Sequence, residues 1–179
     1  EGFNCEETVI SVNLKKISKG LDSIESITLI NPQVTIPAVK NIRLRKSEKK
    51  SAFLLPAKIS IVSGTVAFSI TFTVKNINLE AVNKNNDYAV KSEAIIIMHG
   101  KNNFSSQINV AGMINSDSAV KLKGTIENTN FNNLEKLEGS FNIRGSNGKF
   151  NLSGNLNSAE FNLKSDTNIV LENLKINSQ

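Results

Sequence analysis

Side chains that could carry out catalysis or bind a metal are scarce in this chain of 179 residues. His99 is the single histidine and Cys5 is the single cysteine. A serine–histidine–acid triad would have to use His99, which follows an apolar run and precedes Gly100, as a residue at a strand end would. The sequence contains no HExxH or CxxC motif, no clustered His/Cys set, and no glycine-rich phosphate loop before a helix. We therefore expect no enzyme, no metal site and no cofactor.

A basic run is the most concentrated charge in the sequence. Six cations fall within 11 positions and are opposed by Glu48 alone: Lys40, Arg43, Arg45, Lys46, Lys49 and Lys50. One interpretation is a solvated loop. The other is contact with anionic lipid headgroups, because each cation near a membrane surface contributes about 1 kcal/mol. Nucleic acid is not an expected partner, since no aromatic side chains interleave with these cations to stack on bases.

The elements that would position any site are predicted by alternation of apolar and polar residues. The pattern is clearest over residues 66–74, and it recurs through most of the chain with Asn, Asp, Ser and Gly clusters between the segments. Such alternation indicates half-buried strands joined by turns. We predict a mostly all-β fold, a long curved antiparallel meander that forms an open groove or a flattened barrel. A short helix is an alternative for residues 14–24, and Pro32 and Pro37 predict an edge strand or one broken by bulges.

Glycines recur on the apolar side of these strands. Five segments have the form apolar-x-Gly-x-apolar, centred on Gly64, Gly112, Gly124, Gly139 and Gly154. The last four are 12, 15 and 15 residues apart, which is a weak internal repeat of one strand and one turn. Two interpretations stay open. The glycines fill crowded positions in a closed β core, or they bend many strands so that the sheet curls into a gutter.

A sheet of this kind would carry a large apolar surface on one face. Ten to twelve strands would make a sheet about 50 Å long, and an open apolar face of that size must close, pack on a second sheet or hold a ligand. The side chains expected on this face, as either core or groove, are Val66, Phe68, Ile70, Phe72, Phe104, Ile108, Val110, Leu122, Ile126, Phe141, Ile143, Phe150, Leu152 and Leu156.

Two segments resemble a known family. SIESITLINPQVTIP at residues 23–37 is followed, after the basic run, by LLPAKISIVSGTVAFS at residues 54–69. The first follows the pattern I-x-I-x-N-P-x-V-x-I, with Leu29 at the second Ile position, and the second follows P-x-x-I-x-I-x-x-G-x-V-x-F. Together with the later V-x-G-x-I units, they resemble the bacterial AsmA-like family and the related TamB-type proteins. The likeness extends over most of the chain from about residue 9 onward.

The resemblance implies a function. Members of this family are envelope proteins of Gram-negative bacteria, anchored in the inner membrane and projecting into the periplasm. They carry lipids along a hydrophobic β-groove and contribute to phospholipid transport and outer-membrane homeostasis. By this likeness the chain would be a single β-rich domain, residues 1–179, of a longer membrane-anchored protein, with phospholipid as partner. The alternative is a structural or adhesive β-sandwich or solenoid with a self-packed core and no lipid.

Overall fold

The computed structural model is built almost entirely from β-strands. It describes residues 2–36, 56–85, 87–101, 103–115, 119–131, 134–146, 149–158 and 162–170. The described elements are β1 (Phe3–Asn4), β2 (Glu7–Val12), a 3₁₀ helix (Leu14–Ser23), β3 (Ile24–Ile30), β4 (Gln33–Thr35), β5 (Lys58–Ala67), β6 (Phe72–Lys84), β7 (Asp87–Met98), β8 (Phe104–Ile114), β9 (Val120–Phe131), β10 (Leu134–Ser146), β11 (Lys149–Asn157) and β12 (Asn162–Val170). The predicted all-β fold class is confirmed.

The described strands all belong to one sheet. From β5 to β12 each strand pairs antiparallel with the next, which is the predicted meander. The first strands differ from that pattern, because β3 and β4 both run parallel to β5. β2 and β1 then pair antiparallel with β3 and β4. The sheet is therefore mixed, and of the two predicted forms it adopts the open curved one rather than the flattened barrel.

Pro32 divides the second N-terminal strand, as its position predicts. β3 ends at Ile30 and β4 begins at Gln33, and between them Asn31 has a left-handed backbone with φ 49°. The ladder to β5 survives the break, because the Asn31 N–H donates to the Val62 carbonyl (2.9 Å) and the Thr65 N–H donates to the Pro32 carbonyl (2.8 Å). Proline has no N–H to donate, so Pro32 itself takes part in the pairing through its carbonyl only. Pro37 lies outside the described residues.

The apolar run at residues 66–74 is not one strand. Val66 pairs with Val74, so the run is a hairpin in which β5 ends and β6 begins. The Phe68 N–H donates to the Phe72 carbonyl (3.0 Å), and the Ser69 hydroxyl oxygen accepts from the N–H groups of Thr71 (3.2 Å) and Phe72 (3.0 Å). A serine side chain that satisfies the turn's backbone stabilises the reversal. Period-two alternation continues unbroken through this turn, which is why it predicts a strand.

A β-bulge shifts the alternation within β6. Asn76 has φ 51°, a left-handed conformation that asparagine adopts more readily than most residues. The register against β7 shifts between Lys75 and Asn78. As a result Val74 and Leu79, which have opposite parity in the sequence, oppose Ile96 and Ser92 of β7 and lie on the same face.

The buried core lies at one end of this face. Ala81, Tyr88 and Val90 are buried together, with the partly buried side chains of Ile59, Leu79 and Ile114 packed against them. The Tyr88 hydroxyl donates to the Pro56 carbonyl (2.6 Å) and so fixes the residue that leads into β5. Elsewhere on the face, the buried hydroxyls of Ser106 and Thr129 bond each other at 2.8 Å, which satisfies two polar groups among apolar neighbours.

Candidate functional site

A single row of residues crosses seven strands of the sheet. Each member is the direct cross-strand partner of the next, and the row consists of Ile61, Leu79, Ser92, Val110, Gly124, Phe141 and Gly154. We call it the central row, and the face to which its side chains point the apolar face. Alternation sends the neighbours of every row member to the opposite, polar face.

Phe141 is held between two glycines of the central row. A Cβ at Gly124 would lie 2.6 Å from Phe141 Cε1, so the ring covers Gly124 directly. On the other side, a Cβ at Gly154 would lie 3.2 Å from Phe141 Cβ and 2.7 Å from the Ser140 carbonyl oxygen. An aromatic ring that covers a neighbouring glycine is a known device for fixing strand register. The space that these glycines leave therefore sets the position of the ring.

Gly112 and Gly139 each lie on the apolar face at a point where the next strand of the sheet comes close. That strand is β9 for Gly112 and β11 for Gly139. A Cβ at Gly112 would collide with the Lys121 carbonyl oxygen and lie 2.8 Å from Leu122 Cα. A Cβ at Gly139 would lie 2.5 Å from the Asn155 carbonyl oxygen. Backbone of the adjacent strand occupies the space that a side chain would need at both positions. These glycines thus allow neighbouring strands to approach closely, as the first interpretation of the repeat has it. The sheet that contains them is open and curved, as the second has it.

A pocket on the apolar face lies beside Phe141. Its volume is about 340 Å³, within the range of roughly 300–1,000 Å³ of small-molecule sites. It is lined by Ile126, Ser140, Phe141, Leu152, Gly154, Asn155 and Leu156. Five of these seven residues are on the apolar face by register, and Ser140 and Asn155 alternate to the polar face. We call this concavity the apolar pocket.

Most of the residues predicted for the apolar face lie on it together. Cross-strand register and alternation align Val66, Phe72, Phe104, Ile108, Val110, Leu122, Ile126, Phe141, Ile143, Leu152 and Leu156 on this face. For Phe150, β11 gives the backbone position, and its side chain lies outside the described part of the structure. The basic run from Lys40 to Lys50 also lies outside the described residues.

Phe68 and Ile70 do not lie on a strand of the apolar face, contrary to the prediction. Both fall in the turn between β5 and β6, where Ile70 is 98% exposed. The Phe68 ring stacks on that of Phe72, with centroids 4.9 Å apart. Their apolar character therefore belongs to the tip of a hairpin and not to the face of a strand.

A larger concavity runs along the polar face and was not anticipated from the sequence. Its volume is about 850 Å³, and it is lined by Ser60, Ile61, Val62, Asn78, Leu79, Glu80, Lys91, Ser92, Glu93, Asn109, Val110, Ala111, Lys123, Gly124, Thr125, Ser140, Phe141 and Asn142. Six of these are the row members from Ile61 to Phe141, and the other twelve are their immediate neighbours in sequence. The next side chains along the apolar face, two positions from each row member, do not line it. The concavity therefore lies on the polar face, with the central row's backbone as its floor. We call it the polar trough.

Charged and amide side chains form the walls of the polar trough. Glu80 is paired with Lys58 (2.5 Å), and the Asn78 side-chain amide donates to the Glu93 carboxylate (3.0 Å). Further along, Lys91 and Lys123 flank Ala111 in cross-strand register and are exposed. The trough can thus offer hydrogen bonds and both signs of charge. Polar residues in alternation would have suggested only a solvated surface.

The single histidine and the single cysteine lie in connections between different strands, and each donates a hydrogen bond to a backbone carbonyl. His99 is exposed between β7 and β8, and its backbone N–H donates to the Thr71 backbone carbonyl (2.8 Å). The Cys5 thiol donates to the Glu7 carbonyl (3.1 Å). Among the described residues, no group of three His, Cys, Asp or Glu side chains could hold a metal ion.

Comparisons with known proteins identify no relative. Searches against family models, curated proteins and solved structures all gave no match. In the part of the chain that the structure describes, none of the helical segments has the length and apolar character needed to cross a membrane.

Proposed function

We propose that this chain is a non-enzymatic lipid-binding domain whose apolar face holds acyl chains. The observation that carries the proposal is the apolar pocket, a cavity of about 340 Å³ on a sheet face that no second layer of the described residues covers. The resemblance of its segments to the AsmA-like family points in the same direction. On that likeness, the domain would act in the periplasm, in phospholipid transport or outer-membrane homeostasis, within a protein anchored in the inner membrane.

The exposure of the apolar face supports a ligand. Among the described residues, five hydrophobic side chains are buried, namely Ala81, Tyr88, Val90, Ala94 and Leu137. The side chains of Ile126, Leu152 and Leu156 are only partly buried. Apolar side chains that are only partly buried would gain free energy from further burial, and apolar concavities on soluble proteins commonly mark binding sites. A bound apolar molecule would provide that burial.

The dimensions of the face suit an acyl chain. From Ile61 to Gly154 the central row crosses six strand spacings, or roughly 29 Å at about 4.8 Å each. One leaflet of a bilayer core is about 15 Å thick, so an extended chain seated in the apolar pocket, which spans β9 to β11, would continue along the row beyond the pocket. Each buried methylene would contribute about 0.8 kcal/mol. An acyl chain could therefore be held without any specific polar contact.

A second candidate function is favoured by the polar trough. Its amide, hydroxyl and lysine side chains would suit an extended polar polymer, so the domain would then be an adhesive module. This is the adhesive alternative in modified form, since the described strands make one sheet and not a sandwich. Under this candidate the apolar face would have no lipid ligand.

Native mass spectrometry of the protein purified from bacteria tests the proposal. We expect the protein to carry bound phospholipid or fatty acid, which solvent extraction would release and identify. A delipidated sample should take the lipid up again from mixed micelles. Protein that carries no lipid and also fails to take it up would contradict lipid binding and favour the adhesive module.

A further inference from the structure

The 3₁₀ helix presents apolar side chains to solvent. Leu14 is 77% exposed and Ile17 is 61% exposed. Because a 3₁₀ helix has about three residues per turn, these two side chains lie one above the other on the same stripe. Each of these side chains would gain free energy from burial, and two on one stripe form a small apolar patch.

Hydrogen bonds fix the helix at both ends. The Asn13 side-chain oxygen accepts from the backbone N–H of Lys15 (3.0 Å). The Asn13 backbone carbonyl accepts from the backbone N–H of Lys16 (2.9 Å). These bonds satisfy donors that the first turn leaves without partners. The Asn13 N–H in turn donates to the carbonyl of the buried Ser23 (2.7 Å), which closes the segment into a loop. The exposure of Leu14 and Ile17 is therefore built into the fold.

Two further exposed apolar residues precede the helix in the sequence. Ile10 and Val12 of β2 immediately precede the helix and are 52% and 41% exposed. β2 pairs only with β3 among the described strands, so it lies at an edge of the described sheet. We call Ile10, Val12, Leu14 and Ile17 the edge patch.

Lysines flank the edge patch. Lys15 and Lys16 are both exposed and occupy the two helix stripes beside that of Leu14 and Ile17. The helix sequence carries three lysines and one acid, Asp22, and the next acid, Glu25, accepts through its carboxylate from the Asn13 side-chain amide (2.7 Å). The exposed stripe is thus bordered by cations with hydrocarbon stems, which can extend toward a polar layer while the apolar tips are inserted.

We infer that the edge patch docks on the surface of an anionic lipid bilayer. Leu14 and Ile17 enter the boundary between headgroups and acyl chains, and Lys15 and Lys16 contact the anionic headgroups. Apolar side chains with lysines beside them are typical of interfacial helices, whereas lysine is depleted from protein–protein interfaces. A bilayer therefore fits this surface better than a partner protein does. The inference does not rest on acyl-chain binding, because the edge patch and the apolar pocket share no residue.

Vesicle flotation with matched variants tests this inference. The probe vesicles are phosphatidylcholine alone and phosphatidylcholine mixed with phosphatidylglycerol. We expect the protein to bind the mixed vesicles more tightly. L14S/I17S should weaken binding by at least about tenfold through lost apolar insertion. K15Q/K16Q should weaken binding to the mixed vesicles roughly 25-fold, at about fivefold for each lysine, and should reduce the preference for anionic lipid to the same extent.

Two control variants guard against non-specific effects. I70S removes a more exposed isoleucine from the hairpin between β5 and β6, and K121Q/K123Q removes two exposed lysines from β9. Both should bind vesicles as the unchanged protein does. Equal losses from the controls, unchanged binding by L14S/I17S, or no preference for anionic vesicles would each overturn the inference. Uptake of a fluorescent fatty acid in solution should be unaffected by L14S/I17S, which separates failure of docking from failure of acyl-chain binding.

Discussion

Replacing Gly112 by alanine is expected to lower the free energy of unfolding by about 3 kcal/mol. The new Cβ would collide with the Lys121 carbonyl oxygen and lie 2.8 Å from Leu122 Cα. Both atoms belong to the backbone of β9, so no side chain can rotate away to relieve the contact. β8 and β9 would have to separate at the point where they pair. Urea denaturation of the two proteins measures the difference.

Gly100 supplies the matched control for this substitution. It lies in the turn between β7 and β8, and a Cβ there would meet nothing within 4 Å. Gly100→Ala should therefore change the free energy of unfolding by no more than about 0.5 kcal/mol. If the two variants were equally stable, close approach of β8 and β9 would not be the reason for a glycine at position 112.

The Ile126→Asp substitution is expected to reduce fatty-acid affinity by about 50-fold. Ile126 lines the apolar pocket beside Phe141. A carboxylate there would displace the chain from roughly three methylene contacts, each worth about 0.8 kcal/mol. Titration with a fluorescent fatty acid measures the affinity.

The neighbouring residue is the control for this experiment. Thr125 precedes Ile126 in β9, pairs with Asn109 and Ser140, and faces the polar trough. Thr125→Asp adds the same charge on the opposite face and should leave fatty-acid affinity within about twofold of the original. Circular dichroism and urea denaturation establish that each variant folds. Should I126D prove unfolded, Leu156→Ser probes the same pocket with a milder change. Equal affinities for the folded apolar-face and polar-face variants would contradict the proposed binding face.

The sequence predicts the strands of this fold better than their bends. Alternation identifies β8 to β11 and their common face, because apolar residues in these strands point to one side of the sheet and polar residues to the other. It does not detect the turn at residues 68–71, since the apolar residues keep their spacing through the reversal. It also misses Leu79, which the bulge at Asn76 moves to the apolar face. Turns and bulges depend on backbone angles that a period-two pattern does not encode.

The site is less predictable than the fold because grooves arise from relations between strands. The glycine series identifies crowded positions, but only the register shows that Gly124 and Gly154 enclose Phe141. The side chains that flank the polar trough are mostly polar residues that look like ordinary solvated positions in the sequence. Likewise, β3 and β4 pair in parallel with β5. The direction of this pairing depends on contacts between segments far apart in the sequence, so local residue patterns do not predict it.

Photochemical labelling tests the central claim most directly, which is that acyl chains bind to the apolar face. A fatty acid with a diazirine on its chain would be bound and irradiated, and the modified residues would be mapped by peptide mass spectrometry. The proposal predicts adducts on Ile126, Leu152 and Leu156, with none on the polar-face residues Thr125, Ser153 and Asn157 that lie next to them in the sequence. Adducts divided equally between the two faces, or concentrated in the polar trough, would contradict it.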